Sequence, residues 1–128
     1  MLFTKSFEMG EHNGLNLIEG NIEKIDKKSK IKALKIPHIN WSNIIFENKK
    51  NLKKELVELN ARSFYFIHSY MAFPLNDENI IAKSTYYDIE VPAIVKKDNI
   101  IGFQFHPEKS GMNGLKLLKL TINDLLGT

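Results

Sequence analysis

The sequence contains no cysteine, which excludes disulfide bonds, thiolate metal sites and a thiol nucleophile from this chain. Arginine is almost absent, since 17 of the 18 cationic residues are lysines and only Arg62 is an arginine. Arginine is the preferred residue for bidentate contacts to phosphates and bases, and the net charge is only +3, so nucleic-acid binding is not expected. No apolar run reaches the roughly 18 residues of a membrane-spanning helix, and the first residues show no signal-peptide pattern. We therefore expect a cytoplasmic protein without a membrane partner.

The histidines do not form a metal motif. None of the four lies within five residues of another, whereas metal-binding histidines usually come in pairs at short spacing. They are His12, His38, His68 and His106. No metal and no cofactor are expected.

The chain is long enough for one domain, and its 43% hydrophobic and 26% charged residues are typical of globular proteins. Isoleucines alternate in NIEKI and IKALKI, which predicts two strands around the polar turn KKSK, with Pro37 ending the second strand or placing it at an edge. The aromatic stretch SFYFIHSYMAF predicts one strand that ends at Pro74. Residues 80–106 predict about three short strands, with KKDN as a hairpin turn.

Three segments have the apolar spacing of helices. The first is an uncapped stripe at the start of the chain, formed by Leu2, Phe3 and Phe7. The second predicts a short amphipathic helix through Leu52, Leu56 and Leu59. The third predicts a C-terminal helix whose apolar face consists of Leu115, Leu118, Ile122 and Leu125.

The ends of the C-terminal helix have capping signals. Ser110 is placed to cap its start, and Gly127 lies just beyond its end. Gly114 should weaken the first turn. Many strands followed by one good helix, without a β-α-β unit at the front, predict an α/β fold of which a part is missing.

The stretch GFQFHPEKSG, residues 102–111, combines a histidine and a glutamate at the end of a predicted strand. Residues i and i+2 of an extended chain point to the same side, and Pro107 keeps His106 extended, so His106 and Glu108 should share a face. Glu108 can then accept a hydrogen bond from one ring nitrogen and leave the other for a substrate or nucleophile. We predict that the two side chains are hydrogen-bonded. A structural histidine beside a solvated glutamate is the alternative, and the residues alone leave both open.

GFQFHPEKSG followed by GLKLLK resembles the end of the class I (triad) glutamine amidotransferases. Three further segments, GLNLIEGNI, KIPHINWSNI and FYFIHSY, are similar to the GLGLIPGxV, PHxGWN and YFVHSY segments of the glutaminase subunits of imidazole glycerol phosphate synthase. Asn40 departs from the pattern, since the family usually has glycine there. The resemblance implies a flavodoxin-like three-layer α/β fold, of which residues 1–128 would be one partial domain, the C-terminal portion.

In this family the nucleophile is the cysteine of a GxCxGMQ elbow that precedes an LLF segment, and this chain begins MLFTKSFE. The resemblance therefore implies that the chain starts just after the elbow and keeps only the body of the elbow helix. It also implies that His106 is the general base and that Glu108 orients it. Ser69 and Tyr70 would contact glutamine. A (β/α)8 cyclase subunit would be contacted by Trp41, Tyr65 and Lys109.

The resemblance implies hydrolysis of glutamine to glutamate and ammonia for the cyclase in histidine biosynthesis, with this chain inactive alone. A separate N-terminal half would be a further partner. Two alternatives stay open. The ammonia acceptor could be an enzyme that aminates surface-polysaccharide sugars, which the Lys-rich segment 47–59 fits, or the chain could be a non-catalytic relic that only binds a partner. The aromatic site residues could also be core, Lys109 plain surface, and Ser69 a strand-end hydrogen-bonding group.

Overall fold

The computed structural model of the protein describes residues 1–126. The strands are β1 (Lys5–Ser6), β2 (His12–Asn13), β3 (Gly20–Lys24), β4 (His38–Asn43), β5 (Ile45–Phe46), β6 (Ser63–His68), β7 (Tyr70–Pro74), β8 (Ile80–Tyr86), β9 (Ile89–Lys97) and β10 (Ile100–Phe103). The helices are α1 (Lys54–Val57) and α2 (Gly111–Leu126), and 3-10 turns cover Ile25–Lys28, Lys49–Asn51, Asp77–Asn79 and Pro107–Lys109. No helix within residues 1–126 is long and apolar enough to cross a membrane.

The strands form three sheets. The first is mixed and has the order β2-β1-β3-β7, in which β1 runs parallel to β3 and the other neighbours are antiparallel. The second, antiparallel, has the order β10-β9-β8-β5, and the third is the β4–β6 ribbon. One mixed sheet and two antiparallel sheets with a C-terminal helix confirm the predicted α/β class.

The main core joins β6, the end of β10 and α2. Phe64 and Phe66 of β6 are fully buried, as is Leu117 of α2, and Phe105 packs on both phenylalanines with ring centroids 4.6 and 5.4 Å away. Burying large side chains of this kind is worth about 1.5–3 kcal/mol each. The same cluster therefore fixes the positions of the two segments that carry most of the candidate site residues.

The predicted strands after residue 80 are confirmed, as is the strand after Gly20, but two strand predictions are wrong in detail. Residues 31–36 are not a strand, because their apolar side chains Leu34 and Ile36 pack on a buried cluster around Ile25. The strand begins only after Pro37, which has no N–H to donate to a ladder. The aromatic stretch is divided at Ser69 into β6 and β7, which belong to different sheets.

The N-terminal stripe is not helical, so the prediction of a surviving elbow helix is wrong. Its backbone is paired instead, since Leu17 N–H bonds to the carbonyl of Leu2 and Gly14 N–H to that of Thr4. Phe3 is consequently buried, whereas Phe7 is exposed.

The two predicted helices exist but differ from expectation. Helix α1 is a single turn. In α2 the buried positions are Gly114, Leu117 and Thr121, while Leu115 and Ile122 remain 46% and 52% exposed. The helix is rotated in this way because Gly114 packs against the preceding turn. The side chain of Leu125 and the predicted end at Gly127 lie outside the described residues.

Candidate functional site

His106 and Glu108 form the predicted hydrogen bond. The Nδ1–H of His106 donates to Oε1 of Glu108 over 2.7 Å, and the histidine side chain is 41% exposed. The pKa of the Glu108 carboxyl is lowered, first by a hydrogen bond from its own backbone N–H and then by that from His106. The carboxylate thus stays ionised at neutral pH, and Nε2 of the ring has no hydrogen-bond partner within residues 1–126.

The reason for this pairing differs from the one that the sequence indicated. The chain is not extended through Glu108, because Pro107–Lys109 form a 3-10 turn that begins directly after His106. The turn brings the carboxylate back to the ring. His106 itself keeps an extended backbone, with φ −100° and ψ 96°, as expected for a residue before proline.

The His–Glu turn is fixed to strand β6 through the backbone of Tyr65. The N–H of His106 donates to the carbonyl of Tyr65 over 2.9 Å, and the N–H of Tyr65 donates to the hydroxyl of Ser110 over 2.9 Å. The same hydroxyl donates to the carbonyl of His106 over 2.7 Å. Ser110 was predicted to cap α2, but its side chain links the turn to the strand. No sequence signal distinguishes these two roles.

Gly114 allows α2 to approach the same turn. A Cβ at this position would lie 1.8 Å from the carbonyl oxygen of Pro107, a contact with backbone that no rotamer change can relieve. Gly114 therefore does more than weaken the first turn of α2, because it permits α2 to pack closely against the Pro107–Lys109 turn.

We expect Gly114→Ala to destabilise the protein by about 1–3 kcal/mol, as overpacking does. Helix propensity alone predicts the opposite sign, since alanine is favoured over glycine by about 1 kcal/mol in a helix. Urea unfolding of the chain measures the difference. Met112→Ala, in the same helical turn but 78% exposed, should change stability by less than about 0.5 kcal/mol. A Gly114→Ala protein as stable as the parent would show that this contact is not tight.

Trp41 and Tyr65 form a cross-strand aromatic pair on the β4–β6 ribbon. They are register partners, and their ring centroids are 5.9 Å apart. The N–H and C=O of Tyr65 are bonded to the turn and not to β4, so this is a non-hydrogen-bonded pair, in which side chains lie closest. Trp41 is 52% exposed and Tyr65 partly buried, so Trp41 is not core. Lys109, also exposed, lies in the adjoining turn.

Ser69 and Tyr70 line a cleft of about 470 Å³. Ser69 is the residue at which the chain leaves β6 for β7, and its carbonyl accepts the N–H of Ile25. Gln104, two residues before His106, also lines the cleft. His106 is not among the lining residues, so the cleft and the His–Glu pair are neighbouring features and not one pocket.

Two histidines to which the sequence assigned no role meet at the cleft, and one of them, His68, lines it. His38 of β4 and His68 of β6 are register partners, with Nδ1 of His38 2.8 Å from Nε2 of His68. His38 is fully buried and stacks between the rings of Phe66 and Tyr86, with centroids 5.0 and 4.1 Å away. Their pairing follows from the ribbon register, which the sequence spacing does not reveal.

Metal binding has no support in the part of the chain that the structure describes. No group of three or more His, Asp or Glu side chains within residues 1–126 is placed to hold an ion.

Comparison with known proteins shows which family the sequence matches. Residues 9–124 match the family "Glutamine amidotransferase class-I". The chain is 42% identical to the imidazole glycerol phosphate synthase subunit HisH of Carboxydothermus hydrogenoformans, over 93% of this chain and 55% of that protein.

Subunits of the same description from other bacteria are similarly related. The chain is 41% identical to that of Wolinella succinogenes, over 93% of this chain and 57% of the relative, and 40% identical to that of Lactococcus lactis, over 98% and 58%. The chain thus spans little more than half the length of the curated relatives it matches. Since the family match covers most of the sequence and includes the His–Glu turn, the chain belongs to the class I glutamine amidotransferases.

Proposed function

We propose that this chain supplies the base and its orienting carboxylate to a glutaminase that releases ammonia for a (β/α)8 cyclase subunit in histidine biosynthesis. The observation that supports this most directly is the 2.7 Å hydrogen bond between Nδ1 of His106 and Glu108, with Nε2 left without a partner. The relatives' description as imidazole glycerol phosphate synthase subunits favours the cyclase over a sugar-aminating enzyme as the acceptor. The proposed location is the cytoplasm.

The geometry suits a histidine that acts as a general base. The Glu108 carboxylate accepts the Nδ1–H of His106, so the neutral ring carries its lone pair on Nε2. That nitrogen can take the proton of a thiol and later return it to the departing ammonia. The thiolate would attack the carboxamide carbon of glutamine to give a thioester, which water then hydrolyses to glutamate. The thiol must come from another segment or chain, because this sequence has no cysteine.

The cleft beside β7 is the proposed place for glutamine. Its volume of about 470 Å³ exceeds what one amino acid needs, and Ser69, Tyr70 and Gln104 provide polar groups along an apolar wall. The N-terminal residues Leu2 and Phe3 also line it.

Reconstitution tests the proposal. The chain is co-expressed with the segment of the Lactococcus lactis relative that precedes the matched region, and ammonia release from glutamine is measured with and without a purified cyclase subunit. We expect release only when the added segment is present and retains its nucleophilic cysteine. A stable, folded complex of the two pieces that releases no ammonia, with or without the cyclase, would sink the proposal.

A non-catalytic docking role is the second candidate, and the Trp41–Tyr65 pair, with its half-exposed tryptophan, is the observation that favours it. Trp and Tyr are enriched among residues that dominate interface energies. Binding of the cyclase without any glutaminase activity in the reconstituted complex would support this candidate over the first.

Trp41→Ala is expected to weaken binding of the chain to the cyclase subunit by about 30-fold, since truncating a hot-spot aromatic costs about 2 kcal/mol or more. Calorimetric titration of the cyclase measures the affinity. Leu75→Ala is the matched control, because Leu75 is 76% exposed and lies outside the β4–β6 ribbon. Equal affinities of the parent and the Trp41→Ala protein would place the interface elsewhere.

A further inference from the structure

The hydrogen bonds of His38 and His68 specify their tautomers. A carbonyl oxygen only accepts, so the contact of 3.1 Å between Nδ1 of His68 and the carbonyl of Tyr70 requires a proton on that nitrogen. In a neutral ring Nε2 of His68 is then an acceptor, and Nδ1 of His38, 2.8 Å away, must donate to it. Nε2 of His38 is left to accept from the hydroxyl of Ser42 over 3.1 Å. All four ring nitrogens are satisfied with both rings neutral.

The surroundings of the pair favour that neutral state. His38 lies between the faces of Phe66 and Tyr86, and His68 is 9% exposed. A positive charge there would lose its hydration, which favours two neutral rings.

The hydrogen bonds of Ser42, His38 and His68 form a relay that ends on the backbone of the cleft. It begins at Ser42 of β4, passes through His38 and His68, and reaches the carbonyl of Tyr70 at the start of β7. Ser69, between His68 and Tyr70, is the point at which the chain changes sheets. Both Ser69 and Tyr70 line the cleft, as does His68.

We propose that His38 and His68 are positioning residues: as a neutral relay of fixed tautomers they hold the Ser69–Tyr70 segment in the shape with which the cleft binds its substrate. The inference rests on the proposed function for the identity of that substrate, glutamine. His38 is fully buried, and His68 forms part of the wall of the cleft. Their role is exerted through the Tyr70 carbonyl.

Nitrogen-15 NMR of the imidazoles tests the relay without any substrate. At pH 7 we expect both His38 and His68 to show a protonated Nδ1 and an unprotonated Nε2, the less common tautomer of free histidine in water. His12, which is exposed, serves as the reference in the same spectrum. A protonated Nε2 on either residue, or shifts averaged over both tautomers, would overturn the relay.

Two variants of His68 then test its link to the cleft in the reconstituted complex. His68→Asn can still donate to the Tyr70 carbonyl but cannot reach His38, whereas His68→Gln can accept from His38 but loses the Tyr70 bond. We expect His68→Gln to raise KM for glutamine about tenfold with little change in kcat, and His68→Asn to raise KM much less. Equal KM changes in both variants, or none, would refute the positioning role. A reconstituted parent complex without activity would count against the proposed function alone, since the NMR result does not depend on glutamine.

Discussion

Replacing His106 by alanine is expected to lower kcat for glutamine hydrolysis in the reconstituted complex by about 10²–10⁴-fold, the usual contribution of a positioned general base. The loss follows from the geometry, because no other imidazole is placed to substitute: His38 and His68 are engaged with one another, and His12 lies on β2. The purified chain alone is expected to release no ammonia from glutamine, since it contains no cysteine to form the thioester. An ammonia-release assay measures both.

Glu108→Gln is the companion change to His106→Ala. A glutamine side chain can offer its amide group to the ring but removes the negative charge that stabilises the protonated imidazole, so kcat should fall less than in His106→Ala. His12→Ala, at an exposed histidine outside the turn, should retain the parent rate. Full activity of the His106→Ala complex would show that another group is the base.

Lowering the pH from 7 to 4 is expected to reduce the free energy of unfolding by at least about 3 kcal/mol through His38 and His68. Burial lowers the pKa of His38 to about 4, helped by the neighbouring His68, and burial likewise lowers that of His68 to about 4. The unfolded chain takes up these protons near the ordinary histidine pKa of about 6.5, but the folded chain does not until about pH 4. The stability that His38 and His68 contribute is therefore fully present above pH 6.5 and is lost as the pH falls towards 4.

The groups that face this pair do not mask the effect. Ser42 and Phe66 do not titrate, and the pKa of Tyr86 is raised by burial, so it stays a neutral phenol over the whole range. Carboxyls with lowered pKa, such as those of Glu108 and Asp124, lose their contribution only as the pH falls through and below their ordinary values near 4. Between about pH 6.5 and 5 the slope of the free energy of unfolding against pH thus reports on His38 and His68.

Urea unfolding at several pH values measures that slope. The double variant His38→Phe, His68→Leu keeps a ring between Phe66 and Tyr86 and removes both titrating groups, so its stability should be nearly flat between pH 7 and 5. His12→Ala should retain the slope of the parent. A double variant with the parent's slope would mean that the pair does not titrate as inferred.

The sequence predicts those features that local pattern determines. The hairpin strands after residue 80 and the C-terminal helix follow from alternation and helical spacing, and these are confirmed. The His106–Glu108 contact was also predicted from the two residues that flank Pro107, although a 3-10 turn and not an extended chain brings them together. The aromatic strand was recognised from composition, although its division at Ser69 was not.

The predictions that failed concern features that are determined by tertiary contacts. The helical stripe of Leu2 and Phe3 is overridden by backbone pairing with residues 14–18, a contact that periodicity cannot show. The apolar face of α2 was misassigned because a glycine and a threonine, Gly114 and Thr121, turned out to face inward. The histidine relay requires the register of β4 against β6, and a single sequence does not specify register.

Neighbouring backbone amides of β6 report on two different motions. Tyr65 donates its amide to Ser110 on the His–Glu turn, whereas alternation of the ladder directs the amides of Phe64 and Phe66 towards β4. The rate of hydrogen exchange at the Tyr65 amide consequently measures opening of the His–Glu turn. The rates at Phe64 and Phe66 measure opening of the β4–β6 ribbon. If the turn lifts while the ribbon stays closed, Tyr65 loses protection alone. Three consecutive amides can thus distinguish motion of the proposed base from motion of the surface proposed to meet the cyclase.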